Sequence, residues 1–396
     1  MDSIWDPRIP YSDRWKGRAD TGMKVEDIRA YALRYPEAND FGALRYTTVV
    51  RVETRDGTVG WGEGIAMWPE AALAVKVLIE DGLRELVVGE DPRETDLIWE
   101  RLVDHTWWYG DGGIGSMAIS AIDMALWDIR AKSAGRPLYE LLGGLRHERL
   151  PACASTHPSL PTIEENVAQL ASYSDRGYRF IKTGFGKKGD AQLGRFPLRD
   201  IEFVRELRSA VGDDIGLIVD FGKGVRYDFP TVARFVRECE EVGLRWIEEP
   251  FDPKCLEAHR RLRAATSTPI GGGERESTVE GFQRLIETGL FDVIGVDPAK
   301  ALGITGFRKV ATLVEQRGLA LNTHAWSTAI TTAASVHLSL TAPTCHLMEF
   351  KPEWNVMQHE LVDEPPGPVG GWAYPLKEPG LGVEVKLKTI ERYSFG

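Results

Sequence analysis

Three acids close three short apolar runs, and their spacing is nearly even. Gly216-Leu217-Ile218-Val219-Asp220 is followed by Arg245-Trp246-Ile247-Glu248-Glu249-Pro250 and then by Pro269-Ile270-Gly271-Gly272-Gly273-Glu274. Asp220 and Glu248 are 28 residues apart, and Glu248 and Glu274 are 26 apart. Three carboxylates at one point form a hard, oxygen-only site, which suits Mg²⁺. Zinc is disfavoured, since no Cys or His pair sits at ligand spacing. A single acid at a strand end is commonly just solvated; three at near-constant intervals form a pattern. Lys182, Asp297, His324 and Glu349 close runs of the same kind. A buried lysine beside a divalent cation loses proton affinity and becomes a usable base. Asp297 next to His324 would orient the imidazole and stabilise its charged form. Glu349, if protonated, would offer a hydrogen bond to a substrate oxygen; its other reading is a plain surface acid.

These residues need elements that converge. The runs are too brief for helices and read as buried strands. Amphipathic stretches over 231–242 and 256–265 lie between them. One strand, one helix and two loops fill such a period, so the pattern is a βα repeat building a parallel sheet. It continues through 292–297, 319–324 and 345–349, and upstream through 178–182 to a first strand near 150–154. Eight strands over about 200 residues suit a (β/α)8-type barrel, whose active site lies at the C-terminal strand ends. A doubly wound open sheet is the competing architecture. Successive ionisable strand ends favour a ring around one pocket.

Composition narrows the function. The chain has 396 residues, enough for a barrel and a smaller domain, and a formal net charge of -11. With no basic run, a nucleic-acid partner is not expected. No apolar run approaches the about 18 residues that a membrane span needs, and the charged start is unlike a signal peptide. Cys153, Cys239, Cys255 and Cys345 show no metal spacing and read as small core residues in a reducing, cytoplasmic setting.

Taken in order, residues 1–22 show no periodicity and are expected to be an extension. Residues 23–147 read as an α+β domain. It opens with strands at 24–31 and 46–53, and Asp56-Gly57 turns the second into a return strand. Residues 36–44 between the first two strands have the length and polarity of a lid. Helices are expected over 69–80, 93–103 and 116–133, the last with an apolar face that includes Ala118, Ala121, Ile122, Ala125, Leu126 and Ile129. The barrel is expected over 148–365. A tail over 366–396, with a strand-like Gly382-Val383-Glu384-Val385, is expected to return to the first domain. The glycine-rich Gly184-Phe185-Gly186-Lys187-Lys188-Gly189 matches no P-loop and reads as an active-site loop. Asn39, Asp40 and Arg45 are placed to meet a substrate chain. Trp107-Trp108-Tyr109 is expected to face a ligand or a neighbouring subunit, or to pack between domains. Glu249 reads as a supporting or solvent-facing acid beside Glu248.

With these residues assembled, the chain resembles the enolase superfamily, and within it the mandelate racemase subgroup. The segment Ala118-Ile119-Ser120-Ala121-Ile122-Asp123-Met124-Ala125-Leu126-Trp127-Asp128 and the turn Gly303-Ile304-Thr305-Gly306 match that family. The resemblance implies a (β/α)7β TIM-type barrel with an α+β capping domain formed by the N-terminal part and the C-terminal tail. It places the metal ligands on Asp220, Glu248 and Glu274, the His–Asp dyad on His324 and Asp297, and the carboxylate-binding acid on Glu349. Two departures stand out. The family's Lys-x-Lys reads Phe180-Ile181-Lys182, leaving one lysine, and its Asp-x-Asn reads Asp220-Phe221-Gly222.

The family implies removal of the proton α to a substrate carboxylate, giving a Mg²⁺-stabilised enediolate. The expected function is then a Mg²⁺-dependent sugar-acid dehydratase acting on an aldonate or aldarate, with substrate contacts from Asn39, Asp40, Arg45 and Trp107. Racemisation or epimerisation, or cycloisomerisation of a lactone, would use the same chemistry. A non-catalytic, metal-stabilised scaffold is the alternative of another class. A small-molecule sugar acid is the expected partner, and the expected assembly is a homo-oligomer.

Overall fold

The computed structural model describes residues 22–109, 112–186 and 191–396. The extension read over residues 1–22 therefore lies outside the described residues except for Gly22, as does part of the glycine-rich loop. Strands β1 (Val25–Glu37), β2 (Ala43–Thr54) and β3 (Val59–Ile65) form a three-stranded antiparallel sheet in that order. The β2–β3 turn is the Asp56-Gly57 hairpin expected from the sequence, with Gly57 at φ 85°. The first hairpin differs from expectation. Pro36 pairs with Leu44 and Glu37 with Ala43, so the strands run through most of the stretch read as a lid. Only residues 38–42 are left to connect them.

Helices α1 (Pro69–Val77), α2 (Thr95–Thr106) and α3 (Ile114–Ser133) cover this sheet, and the short α4 (Leu138–Leu141) follows. Helix α3 is apolar almost all round because it lies between two cores. Ala118, Ala121, Ile122, Ala125, Leu126 and Ile129 pack with the sheet. Met124, Trp127 and Ala131 pack with the barrel. Strand β3 approaches α3 so closely that a side chain at Gly62 would collide with the Ala121 carbonyl.

Eight parallel strands make the barrel: β4 (Leu150–Thr156), β5 (Phe180–Gly184), β6 (Gly216–Asp220), β7 (Trp246–Glu248), β8 (Ile270–Gly272), β9 (Val293–Val296), β10 (Ala320–Thr323) and β11 (Met348–Phe350). Consecutive strands pair from β4 to β10, and β11 pairs with β4. Between β10 and β11 the ring closes through the Leu321–Cys345 bridge. The first seven strands lead into α5 (Ile163–Asp175), α6 (Pro197–Val211), α7 (Phe229–Glu238), α8 (Leu256–Arg263), α9 (Val279–Glu287), α10 (Gly303–Gln316) and α11 (Ala329–Thr341). Local chemistry starts several of them. Thr162 and Glu165 form a capping box at α5, and Asp228 caps α7 ahead of a first-turn proline. Strand β11 is followed only by the four-residue α12 (Val356–His359), which gives the (β/α)7β arrangement.

The tail runs through β12 (Trp372–Ala373), paired with β4, to α13 (Leu387–Tyr393). It then returns to the first sheet, where Phe395 N donates to Ala32 O at 2.9 Å and the Phe395 ring packs on Tyr46. The stretch read as a strand over 382–385 forms just the single Val362–Val385 bridge. Cys153, Cys239 and Cys345 are buried, but Cys255 is exposed, contrary to its reading as a core residue. Among the described residues, no helix is long and apolar enough to cross a membrane.

Buried charge locks the first sheet to the barrel. Glu63, at the inner end of β3, accepts hydrogen bonds from the hydroxyls of Thr47 (2.7 Å), Thr328 (2.6 Å), Thr331 (2.6 Å) and Ser327. The last three stand at the start of α11, where free backbone N–H groups also favour a carboxylate. Lys351 Nζ donates to Glu37 Oε2 at 2.7 Å and to Ser327 O at 2.6 Å.

Candidate active site

Parallel strands in register carry their C-terminal residues to one end of the barrel. Asp220 is the last residue of β6 and Glu248 the last of β7, and the two are register partners. Glu274 lies two residues beyond β8. Gly273 makes that step possible: its φ is 128°, and a Cβ there would come within 2.7 Å of Gly295 O. One oxygen from each of the three acids lies within 4.8 Å of the others. Their surroundings support them. Trp246 Nε1 donates to Glu248 Oε2 at 3.1 Å, and Lys300 Nζ donates to the Glu274 carbonyl at 2.8 Å.

Lys182, in the middle of β5, reaches across the ring. Its Nζ donates to Glu248 Oε1 at 2.8 Å and Glu349 Oε1 at 3.1 Å, and stands 3.7 Å from Asp220 Oδ2. On the other side, His324 follows β10 and Asp297 follows β9. His324 Nδ1 is 2.6 Å from Asp297 Oδ2, and Nε2 is 3.5 Å from Glu274 Oε2. Glu349, on β11, is completely buried and accepts a second hydrogen bond from Asn322 Nδ2 at 2.6 Å. All seven strand-end residues singled out in the sequence therefore meet in one ring.

The electrostatics follow from crowding. Burial pushes Asp220 up to about 8, with Lys182 opposing and Glu248, Glu274 and Glu349 adding to the rise. Glu248 is raised chiefly by burial. For Glu274, burial is outweighed by the cations around it, His324 first, and its pKa is lowered. Glu349 is likewise held down against burial, mainly by Lys182. Burial lowers His324, but the Asp297 hydrogen bond and charge reverse this and bring it to about 9. The lysine expectation presumed an adjacent dication. Among protein groups alone the balance runs the other way: burial lowers Lys182, but Glu248, Glu349, Asp220 and Glu274 together hold it well above its usual value.

The donor set fits a divalent cation. Five carboxylates (Asp220, Glu248, Glu274, Asp297 and Glu349) face Lys182 and His324, with Lys300 behind Glu274 and Asp297. Asp220 Oδ1 is buried without a hydrogen-bond partner. Surplus negative charge and an orphaned carboxylate oxygen are what an all-oxygen Mg²⁺ site presents.

The substrate-contact candidates find partners outside the seven-residue ring. Asn39 spends its polar atoms on Glu37 and Glu353: its N and Nδ2 donate to Glu37 Oε1 at 3.0 and 2.9 Å, and its Oδ1 accepts from Glu353 N at 3.0 Å. Asp40 pairs with Arg45 at 2.6 Å. The Arg45 guanidinium also lies 4.8 Å from the centre of Trp326, two residues after His324. Trp107 is 63% exposed, and Trp108 and Tyr109 are also exposed, so this stretch does not pack between the domains. Glu249 is buried at φ 45° and lies 2.6 Å from Arg275 Nε, so it does not face solvent.

Sequence reading passed over Asn322, Trp246 and Lys300. Asn322 and Trp246 lie two residues before His324 and Glu248, so strand alternation already put each on the inward face. Lys300 carries no such signal.

Known proteins align along nearly the whole chain. The family described as "Enolase C-terminal domain-like" matches residues 165–389, and "Mandelate racemase / muconate lactonizing enzyme, N-terminal domain" matches residues 36–143. A D-galactonate dehydratase of Pectobacterium atrosepticum is 31% identical, over 86% of this chain and 89% of its own. A D-galactarolactone cycloisomerase of Agrobacterium fabrum is 29% identical, over 94% of this chain and 99% of its own. The crystal structure of a racemase from Streptomyces coelicolor with bound magnesium superposes with a TM-score of 0.80 at 27% identity, covering 94% of this chain and 100% of that one. With the barrel, its capping sheet and the strand-end ring in place, the chain belongs to the mandelate racemase and muconate lactonizing enzyme group of the enolase superfamily.

Proposed function

We propose that the protein is a Mg²⁺-dependent dehydratase of a sugar acid, an aldonate or an aldarate. One observation carries the reading: a lysine and an Asp-paired histidine reach the same carboxylate triad from different sides. Asp220, Glu248 and Glu274 would hold the cation. Bound there, Mg²⁺ supplies positive charge for the substrate carboxylate as its α-proton leaves.

The remaining steps belong to the chain. Lys182 Nζ or His324 Nε2, once free of the proton that the surrounding carboxylates hold on it when no cation is bound, accepts the α-proton, according to the configuration at that carbon, and Glu349 meets a substrate carboxylate oxygen. The electron pair left by the α-proton forms the new double bond to the β-carbon. The β-hydroxyl departs with a proton from His324 as water, and the enol tautomerises to a 2-keto-3-deoxy acid. Asp297 holds the imidazole by Nδ1, which leaves Nε2 toward the ring. A non-catalytic scaffold would have no use for a matched acid/base pair beside the triad. The Agrobacterium relative keeps a second reading in view, the opening of a lactone by elimination at the same ring.

A library of aldonates, aldarates and their lactones, assayed for 2-keto product with Mg²⁺ and with chelator, tests the reading. Product that depends on Mg²⁺ is expected from at least one aldonate or aldarate. Product from lactones alone would favour cycloisomerisation. Absence of both product and α-proton exchange in D₂O for every acid would overturn both readings.

A further inference from the structure

Glu349 and Asn322 project into the barrel from β11 and β10, which the Leu321–Cys345 bridge joins. The two oxygens of Glu349 are treated differently. Oε1 accepts from Asn322 Nδ2 at 2.6 Å and from Lys182 Nζ at 3.1 Å. Oε2 is buried with no hydrogen-bond partner, and so is Asn322 Oδ1. Both residues are nearly sealed from solvent, Glu349 at 0% and Asn322 at 2% exposure. A buried acceptor that its own chain leaves unmatched marks a place for a ligand atom or a water.

We infer that Asn322 is a positioning residue for Glu349: with Lys182 it saturates Oε1, and so presents Oε2 alone to the substrate. This rests on the proposed role of Glu349 at the substrate carboxylate. The chemical consequence is specific. Oε1 already accepts two hydrogen bonds, one of them from a cation, so it is the poorer place for a carboxyl proton. When Glu349 is protonated, the proton resides on Oε2 and is donated from there. When Glu349 is ionised, Oε2 is the acceptor that faces the substrate. Asn322 is uncharged, and its side-chain hydrogen bond goes to Glu349 rather than to the metal-site acids. The influence of its Nδ2 donor on the chemistry therefore passes through one carboxyl group. Strand alternation allowed this position to face inward; its donor fixes which oxygen of the neighbour is left open.

A double-mutant cycle tests the inference on the full-length enzyme, with Mg²⁺ and the sugar acid that the wild type turns over. Asn322→Ala is expected to lower kcat about 10- to 100-fold, the loss typical of a hydrogen bond to a charged group. KM should change by less than about threefold, and Asn322→Ser, which keeps a short donor, should recover part of kcat. In a Glu349→Gln background the Asn322→Ala change should cost almost nothing further, because both act through one group. Calorimetric Mg²⁺ affinity should stay at the wild-type value in the Asn322 variants. Losses that multiply in the double variant would overturn the inference, as would Mg²⁺ affinity that falls together with kcat. If Asn322→Ala does not fold, Asn322→Ser carries the cycle with the same two outcomes. A wild type that turns over no sugar acid sinks the proposed function and this inference with it. An active wild type whose Asn322 variants are unimpaired sinks this inference alone.

Discussion

Two regions of the molecule bury charge, and they do so in opposite ways. At the seam between sheet and barrel, both oxygens of Glu63 meet hydroxyl donors, and Lys351 has Glu37 and the Ser327 carbonyl. In the ring, five carboxylates outnumber the cations Lys182, His324 and Lys300, while Asp220 Oδ1 and Glu349 Oε2 have no donor. A buried charge matched within its own chain holds two parts in a single geometry. A ring with surplus charge and open acceptors is destabilised by its own composition, and a bound cation would relieve it. The difference separates a structural joint from a candidate binding site without reference to any relative.

The sharpest test of this contrast removes a charge from the ring. Glu248→Gln is expected to lower turnover by about a thousandfold and to weaken Mg²⁺ binding. Its metal-free melting temperature should hold or rise, since like charges are relieved. Melting scans with Mg²⁺ and with chelator check both halves. A metal-free variant that melts well below wild type would erase the contrast.

The seam should answer in the opposite sense. Glu63→Ala leaves the Ser327, Thr328 and Thr331 hydroxyls without their acceptor, while Thr47 keeps the Gly64 carbonyl, and is expected to lower stability by about 3–5 kcal/mol, the sum of several unsatisfied buried donors. Urea unfolding measures it, and a loss under about 1 kcal/mol would show that Glu63 does not hold the joint.

Asp297→Asn probes a group that belongs partly to each class, being well paired yet part of the ring. Turnover should fall about a hundredfold with the fold intact. Asp297 lifts His324 to about 9 from a usual 6.5. The folded state therefore binds this proton more tightly than the unfolded chain. The stability it contributes is full below about pH 6.5 and is lost as pH rises through about 9. In the Asn variant the imidazole titration, followed by NMR, should move down and that slope should flatten. A wild-type titration in the variant would give the histidine's charge another origin.

The smallest effect is expected at an exposed side chain that takes no part in either charged cluster. Trp107→Ala, at a side chain 63% exposed, should change stability by less than about 0.5 kcal/mol and leave KM within about twofold. A KM raised tenfold would restore Trp107 as a substrate contact and extend the site beyond the ring.

Much of the ring was legible because it is built on local signals. Apolar runs closed by polar residues, at intervals of 28 and 26 around Glu248, announce strands whose ends share one rim. The misreadings are of another kind. Residues 36–44 look like a polar loop until Pro36 and Glu37 find Leu44 and Ala43 across the hairpin. The 382–385 stretch alternates like a strand but finds a partner only at Val362. Glu63 stands within β3, two residues before its end, and nothing near it in the chain marks it as a joint. Its partners Ser327, Thr328 and Thr331 lie 264 to 268 residues away.

The sequence by itself therefore determined the fold class and which residue types stand at the strand ends. Strand alternation, helix amphipathicity and turn chemistry act over a few residues, and barrel topology places successive strand ends side by side. Only the tertiary structure decided which of those charges are matched and which are left open. Asn322 engages Oε1 of Glu349 and leaves Oε2 free; Asn39 is bound to Glu37 and Glu353. The physical reason is range. A hydrogen bond is made or missed within a few tenths of an ångström, between groups that in these cases lie up to 314 residues apart in the chain, a relation that no local pattern encodes.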